Sequence, residues 1–278
     1  MKVTLLSLIL TAMLFVLTVS AQPHSYTWLP DYDTSQSIIK RIPVPSGYER
    51  VVTSVGTFED WLQHLPLKKG NPPVYLHNGE KKINQTAHFA VVNLDVGSKD
   101  LQQCADAVMR LRAEYLFSTG KYETIHFNFT SGDRVDFTRW TEGYRPVIRG
   151  NKVVWIKNAA RDTSYRNFKE YLEKIFTYAG TASLSRELKS VSLINNLKIG
   201  DVFIQGGFPG HAVIVVDMAV NKSGKKLFLL AQSYMPAQDL HILKNPTDYS
   251  LSPWYNLDFG ETLETPEWAF RKTDLKRF

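Results

Sequence analysis

Cysteine is nearly missing from this sequence: of 278 residues only Cys104 carries a thiol. That count excludes a disulfide framework and a zinc site built on paired cysteines. Metal-binding and phosphate-binding patterns are missing too. No His-Glu-x-x-His occurs, and Gly206-Gly207-Phe208-Pro209-Gly210 lacks the lysine that a phosphate cradle requires. Neither a resident metal nor a cofactor is expected. Positive charge does not accumulate either. Lys and Arg number 33 against 27 Asp and Glu, and the surplus lies in scattered pairs such as Lys68-Lys69, Lys81-Lys82 and Lys225-Lys226. A nucleic-acid surface would gather such charge on one face beside stacking aromatics, so nucleic acid is not expected as a partner. What is present, 44% hydrophobic and 12% aromatic residues, excludes a disordered chain.

One long apolar run occurs, at residues 3–19, behind the single charge of Lys2. Val19-Ser20-Ala21 gives the small-x-small pattern of a cleavage site, so residues 1–21 read as a secretory signal peptide. The alternative is a retained anchor, since the run approaches bilayer-spanning length. No later segment is long enough to cross a membrane, and cleavage would leave no span. Residues 22–278 are then one α+β domain with an extended N-terminal lead-in, exported to the periplasm or cell envelope.

Within that domain, Thr57 caps a short helix that Pro66 stops, and residues 88–94 read as a strand. Asp100, with Gln103 three residues on, has capping-box spacing, and Leu101, Ala105, Val108, Leu111 and Tyr115 recur at helical intervals up to Gly120. Strands are expected at 124–129, 134–137 and 152–157, and a second helix at 165–178. Three β-branched runs bounded by glycine, 201–205, 211–220 and 227–233, complete an antiparallel sheet.

Cys104 lies near the start of its helix, where the dipole favours a thiolate. It also lies on the apolar stripe, as a core cysteine would. His211 begins a buried strand directly after a glycine-rich turn, where loops form clefts. If Asn221 faces Gly224 in the following hairpin, His211 faces Tyr234 and has Gln232 as its diagonal neighbour, roughly 7 Å away at Cβ. Gln232 is then able to accept a ring proton and fix the imidazole, whereas Asp217 is too far along the strand to do so. Gln103, or Gln102, offers a donor beside the sulfur. Arg139-Trp140 and Tyr144-Arg145 offer surfaces for a carboxylate or sugar.

The order of a helical cysteine, a Gly-Asp strand, a Gly-His strand and a polar residue on the next strand resembles the NlpC-type and CHAP-type papain-like cysteine hydrolases. That resemblance implies an antiparallel sheet packed on a central cysteine-bearing helix, with Cys104 as nucleophile, His211 as general base and Gln232 as the orienting residue. Those families usually place Asp or a small polar residue before the cysteine and Ser-Gly after it; here Gln103 precedes and Ala105-Asp106 follows. Over nearly its full length, carried by residues 100–116 and 200–217, the chain also resembles an uncharacterised family of exported bacterial proteins, domain of unknown function 4846. The expectation is an exported cysteine peptidase or amidase acting on cell-envelope peptide or a related amide, with Gln103, Trp140 and Tyr234 binding substrate. Its competitor is a non-catalytic protein that keeps the hydrolase fold to bind envelope peptide, glycan or a protein.

Overall fold

The apolar run that starts at His211 forms an 11-residue strand whose first nine residues are buried. Such a run, flanked by strands on both edges and covered on both faces, becomes the spine of the fold. The structure, a computed structural model, describes residues 24–150 and 152–278; the expected leader, 1–21, lies outside them. The first elements are α1 (Ile38–Arg41), β1 (Tyr48–Arg50), α2 (Phe58–Gln63), β2 (His88–Val91) and α3 (Cys104–Ser118). Then come β3 (His126–Asn128), β4 (Arg134–Asp136), α4 (Phe137–Thr141), β5 (Tyr144–Arg149), β6 (Lys152–Lys157), α5 (Tyr165–Tyr178) and α6 (Thr181–Glu187). Strands follow almost without interruption: β7 (Lys189–Ser190), β8 (Val202–Gln205), β9 (His211–Asn221), β10 (Lys226–Gln232), β11 (His241–Leu243) and β12 (Tyr255–Asn256). The C-terminal strands are β13 (Thr262–Glu264), β14 (Ala269–Arg271) and β15 (Leu275–Arg277).

The main sheet runs β2-β11-β10-β9-β8-β15-β7, with β1 added to β9 and β12 to β10, and its pairs are antiparallel. Helix α3 is buried on nearly every side and packs on β9 and β10, so the cysteine-bearing helix is central. The protein is therefore α+β with a largely antiparallel sheet. Among the described residues no helix is long and apolar enough to cross a membrane.

Several local expectations hold. Thr57 Oγ1 accepts the Asp60 N–H at 3.3 Å and caps α2. Helix α5 and strand β6 keep the bounds their patterns predict. Helix α3 differs, because Asp100 is not its cap. The Asp100 carboxylate instead accepts the Ala237 N–H at 2.6 Å and the Gln103 Nε2–H at 3.0 Å. The chain turns tightly at Lys99–Leu101 and Leu101–Gln103, and the helix opens at Cys104 with Gln103 as N-cap. Strand β5 and helix α6 were not read from the sequence.

The β9–β10 register combines two departures. Asn221 N–H donates to Lys225 O at 3.0 Å, so the turn is one residue longer than a pairing of Asn221 with Gly224 allows. Val220 pairs with Lys226 and Asp217 with Leu229, but beyond a bulge Val215 pairs with Leu230 and Ile214 with Ala231. The bulge at Val216 cancels the longer turn, and the register at the His211 end is the expected one.

Candidate functional site

Cys104 is the first residue of α3, in the turn whose N–H groups have no intrahelical acceptors. It is 4% exposed and borders an open cleft of about 360 Å³, together with Leu101, Gln103, Asp106, Thr181, Gly207, Phe208, Gly210 and Met235. Burial pushes the thiol up to about 11 and an ionised Asp106 adds to this, while the amides of Ala105, Ala212 and Cys104 itself favour the thiolate. The Ala212 amide belongs to the residue after His211, so the sulfur lies against the start of β9.

His211 is fully buried. Tyr234 stands edge-on to its ring with centroids 4.8 Å apart, as the register requires, and Trp268 and Phe270 lie at 5.4 and 5.9 Å. His211 Nε2 is 2.8 Å from Gln232 Oε1, while Nδ1 has no hydrogen-bond partner. Burial, with a smaller contribution from the Lys82 charge, pushes His211 down to about 4 against the opposing Gln232 hydrogen bond. At neutral pH the resting groups are thus an uncharged thiol and an uncharged imidazole.

Behind Gln232 lie residues that sequence reasoning missed. Gln232 Nε2 donates to Glu267 Oε2 at 2.7 Å and lies 3.3 Å from His241 Nε2, and Lys82 Nζ is 2.5 Å from the same Glu267 oxygen. Glu267 and Trp268 form the turn of the β13–β14 hairpin, a part of the chain whose pattern suggests only a tail folded back on the body. No local signal marks them, because their partners are far away in sequence.

The remaining sequence-derived residues separate clearly. Gln103 borders the cleft, and its side chain reaches Asp100. Gln102 is fixed elsewhere, accepting from Arg110 Nη1 at 2.6 Å and donating to Asp95 O at 3.2 Å. Trp140 is not brought to the cleft. It is buried beneath Arg145, whose guanidinium lies 3.9 Å above the ring, and its Nε1 donates to Asn167 Oδ1 at 2.8 Å. His88 meets the Pro72 carbonyl at 3.2 Å and plays a structural part.

Among the described residues, His24, Asp60 and His64 form one group with metal-ligating chemistry. One nitrogen of each ring is engaged: His24 Nε2 lies 2.8 Å from Asp60 Oδ2 and His64 Nδ1 lies 2.8 Å from the Asp60 carbonyl oxygen, while His24 Nδ1 is buried without a partner. The two rings stack at 3.9 Å with 17° between their planes. The Asp60 carboxylate holds both imidazoles, with Oδ2 2.8 Å from His24 Nε2 and Oδ1 3.3 Å from His64 Nδ1.

Fold and site together define an α+β protein whose lone thiol, at the start of the central helix, borders an open cleft, while a fully buried histidine begins the strand whose next amide favours the thiolate. The chain belongs to the family described as domain of unknown function (4846), which matches residues 38–277. No curated protein and no solved structure matches it.

Proposed function

We propose that this protein is an exported cysteine amide hydrolase, a peptidase or amidase with a papain-like arrangement, acting on cell-envelope peptide or a related amide. The observation that carries the reading is the half-used imidazole: His211 is held through Nε2 by Gln232, while Nδ1 lacks a partner on a strand whose next amide favours the Cys104 thiolate. In this reading Nδ1 accepts the thiol proton as sulfur attacks the carbonyl carbon. The Cys104 N–H, in the open first turn of α3, faces the developing oxyanion. His211 then returns the proton to the leaving nitrogen, the C–N bond breaks and a thioester remains. Water, giving a proton to His211 Nδ1, then attacks the thioester carbon; the C–S bond breaks, the carboxylic acid leaves and Nδ1 returns the proton to sulfur.

A second reading rests on burial. A thiol 4% exposed and raised to about 11 suits a protein that keeps the hydrolase fold but only binds envelope peptide or glycan. A thiol-directed peptide-amide probe separates the two. The hydrolase reading expects labelling of Cys104 at neutral pH, with most of the rate lost in His211→Ala. Equal labelling of both proteins would overturn it. Digestion of peptidoglycan fragments, with Cys104→Ala as control, then identifies the bond.

A further inference from the structure

The Gln232 carboxamide could present either its oxygen or its NH2 to His211, and the two choices have opposite consequences for the imidazole. We propose that the Lys82–Glu267 ion pair acts as a positioning device that fixes this choice, and so holds His211 as the Nε2–H tautomer with its lone pair on Nδ1. The assignment of a catalytic use to that lone pair rests on the hydrolase reading; the assignment of the tautomer does not.

Glu267 is mostly buried, and Lys82 Nζ at 2.5 Å supplies its countercharge. An ionised carboxylate only accepts hydrogen bonds, so the end of Gln232 that lies 2.7 Å from Glu267 Oε2 must be the NH2. The second amide hydrogen meets an independent acceptor. His241 Nδ1 lies 2.8 Å from the Asp239 carbonyl oxygen, which also only accepts, so the proton of that ring is on Nδ1. Its Nε2 then offers a lone pair to Gln232 Nε2 at 3.3 Å. Two acceptors from separate segments thus fix the same end of the amide. The other end, Oε1, faces His211 Nε2 at 2.8 Å and can only accept. A neutral imidazole has one N–H, and with that proton on Nε2 the lone pair is left on Nδ1, the nitrogen without a partner. Two distant pieces of chain supply the ion pair: Lys82 precedes β2, and Glu267 forms the turn of the hairpin whose Trp268 and Phe270 pack on the His211 ring.

The test uses the full chain with 15N-labelled histidine and reads the His211 tautomer from long-range nitrogen–proton correlations. Wild type is expected to show His211 as the Nε2–H form alone. Glu267→Gln puts a group able to donate or accept opposite the amide, and a measurable share of the Nδ1–H form should appear. Lys82→Met, which removes the countercharge beside Glu267, should act in the same direction and serves if the first variant fails to fold. An Nδ1–H wild type, or a tautomer unchanged in a folded variant, overturns the proposal. Alkylation of Cys104 by iodoacetamide, measured on the same samples, tests the hydrolase reading separately. A shifted tautomer accompanied by about a tenfold loss of rate supports both. A shifted tautomer with an unchanged rate supports the positioning role and counts against the hydrolase.

Discussion

The carboxyl of Asp106 sits two residues beyond Cys104 in the same helical turn, with Oδ2 accepting the Gln103 N–H at 3.1 Å and Oδ1 buried without a partner. Burial holds this carboxyl well above the usual carboxylate range, and once ionised it opposes the neighbouring thiolate. Direct alkylation of Cys104 should therefore be slow at neutral pH and faster as the pH approaches the thiol pKa. Asp106→Asn removes the opposing charge, and the alkylation rate at pH 9 should increase. An unchanged rate in a folded variant would mean that Asp106 does not set the thiol.

His241 offers a pH test of the interior. Burial, followed by the charge of Lys82, pushes it down to about 3 from 6.5, so the folded protein binds fewer protons than the unfolded chain between those values. Stability is then lost as pH falls from about 6.5 toward 3, by roughly 3 to 5 kcal/mol for this group. Buried carboxylic acids with raised pKa values, such as Asp106 and Asp217, act in the opposite sense, so the relevant quantity is a difference. In denaturant titrations from pH 7 to pH 4, His241→Gln should lose less stability than wild type.

Asp217, on the buried spine strand, accepts from Arg50 Nε and Gln63 Nε2, both at 2.7 Å, and from the Met218 N–H at 2.8 Å. Arg50→Met leaves a buried carboxylate without its cation and should cost about 3 to 5 kcal/mol at pH 7. Burial already raises Asp217, so the orphaned group should take up a proton on folding, and the deficit should shrink as pH falls toward 4. A deficit independent of pH would assign the loss to packing alone.

Gly210 leads into His211 through a gap that admits no side chain. A Cβ there would stand 2.4 Å from Thr181 Oγ1, 2.6 Å from Gly207 O and 2.8 Å from Gln205 O. Gly210→Ala must displace the 206–210 turn, at about 1 to 3 kcal/mol. Because His211 follows directly, probe labelling of Cys104 should fall further than the drop in melting temperature accounts for. Wild-type labelling with a lowered melting temperature would show that the turn does not set the imidazole.

What the sequence made legible follows from the range of each interaction. Helix α5 and strand β6 are written in local periodicity and end at local signals. The closeness of His211, Tyr234 and Gln232 was also readable, although by two departures that cancel: a turn one residue longer than expected and a bulge at Val216. The start of α3 was misplaced because Asp100 looks like a cap and instead serves Ala237, 137 residues away. That correction moves Cys104 from the fourth helical residue to the first, where the dipole acts most strongly. Trp140 read as a surface residue because its burying partners, Asn167 and Tyr171, lie on a later helix. Lys82 and Glu267 carry no local pattern, and a contact across 185 residues leaves no trace in spacing.

The hairpin that bears Glu267 and Trp268 also has a temporal consequence. A nascent polypeptide that has emerged only through β10 already holds sulfur, imidazole, carboxamide and Lys82, yet neither Glu267 and His241, which orient the carboxamide, nor Trp268 and Phe270, which cover the ring. Such a partial chain lacks the acceptors that orient the carboxamide and the rings that cover the imidazole, so this arrangement is complete only once the final strands have docked.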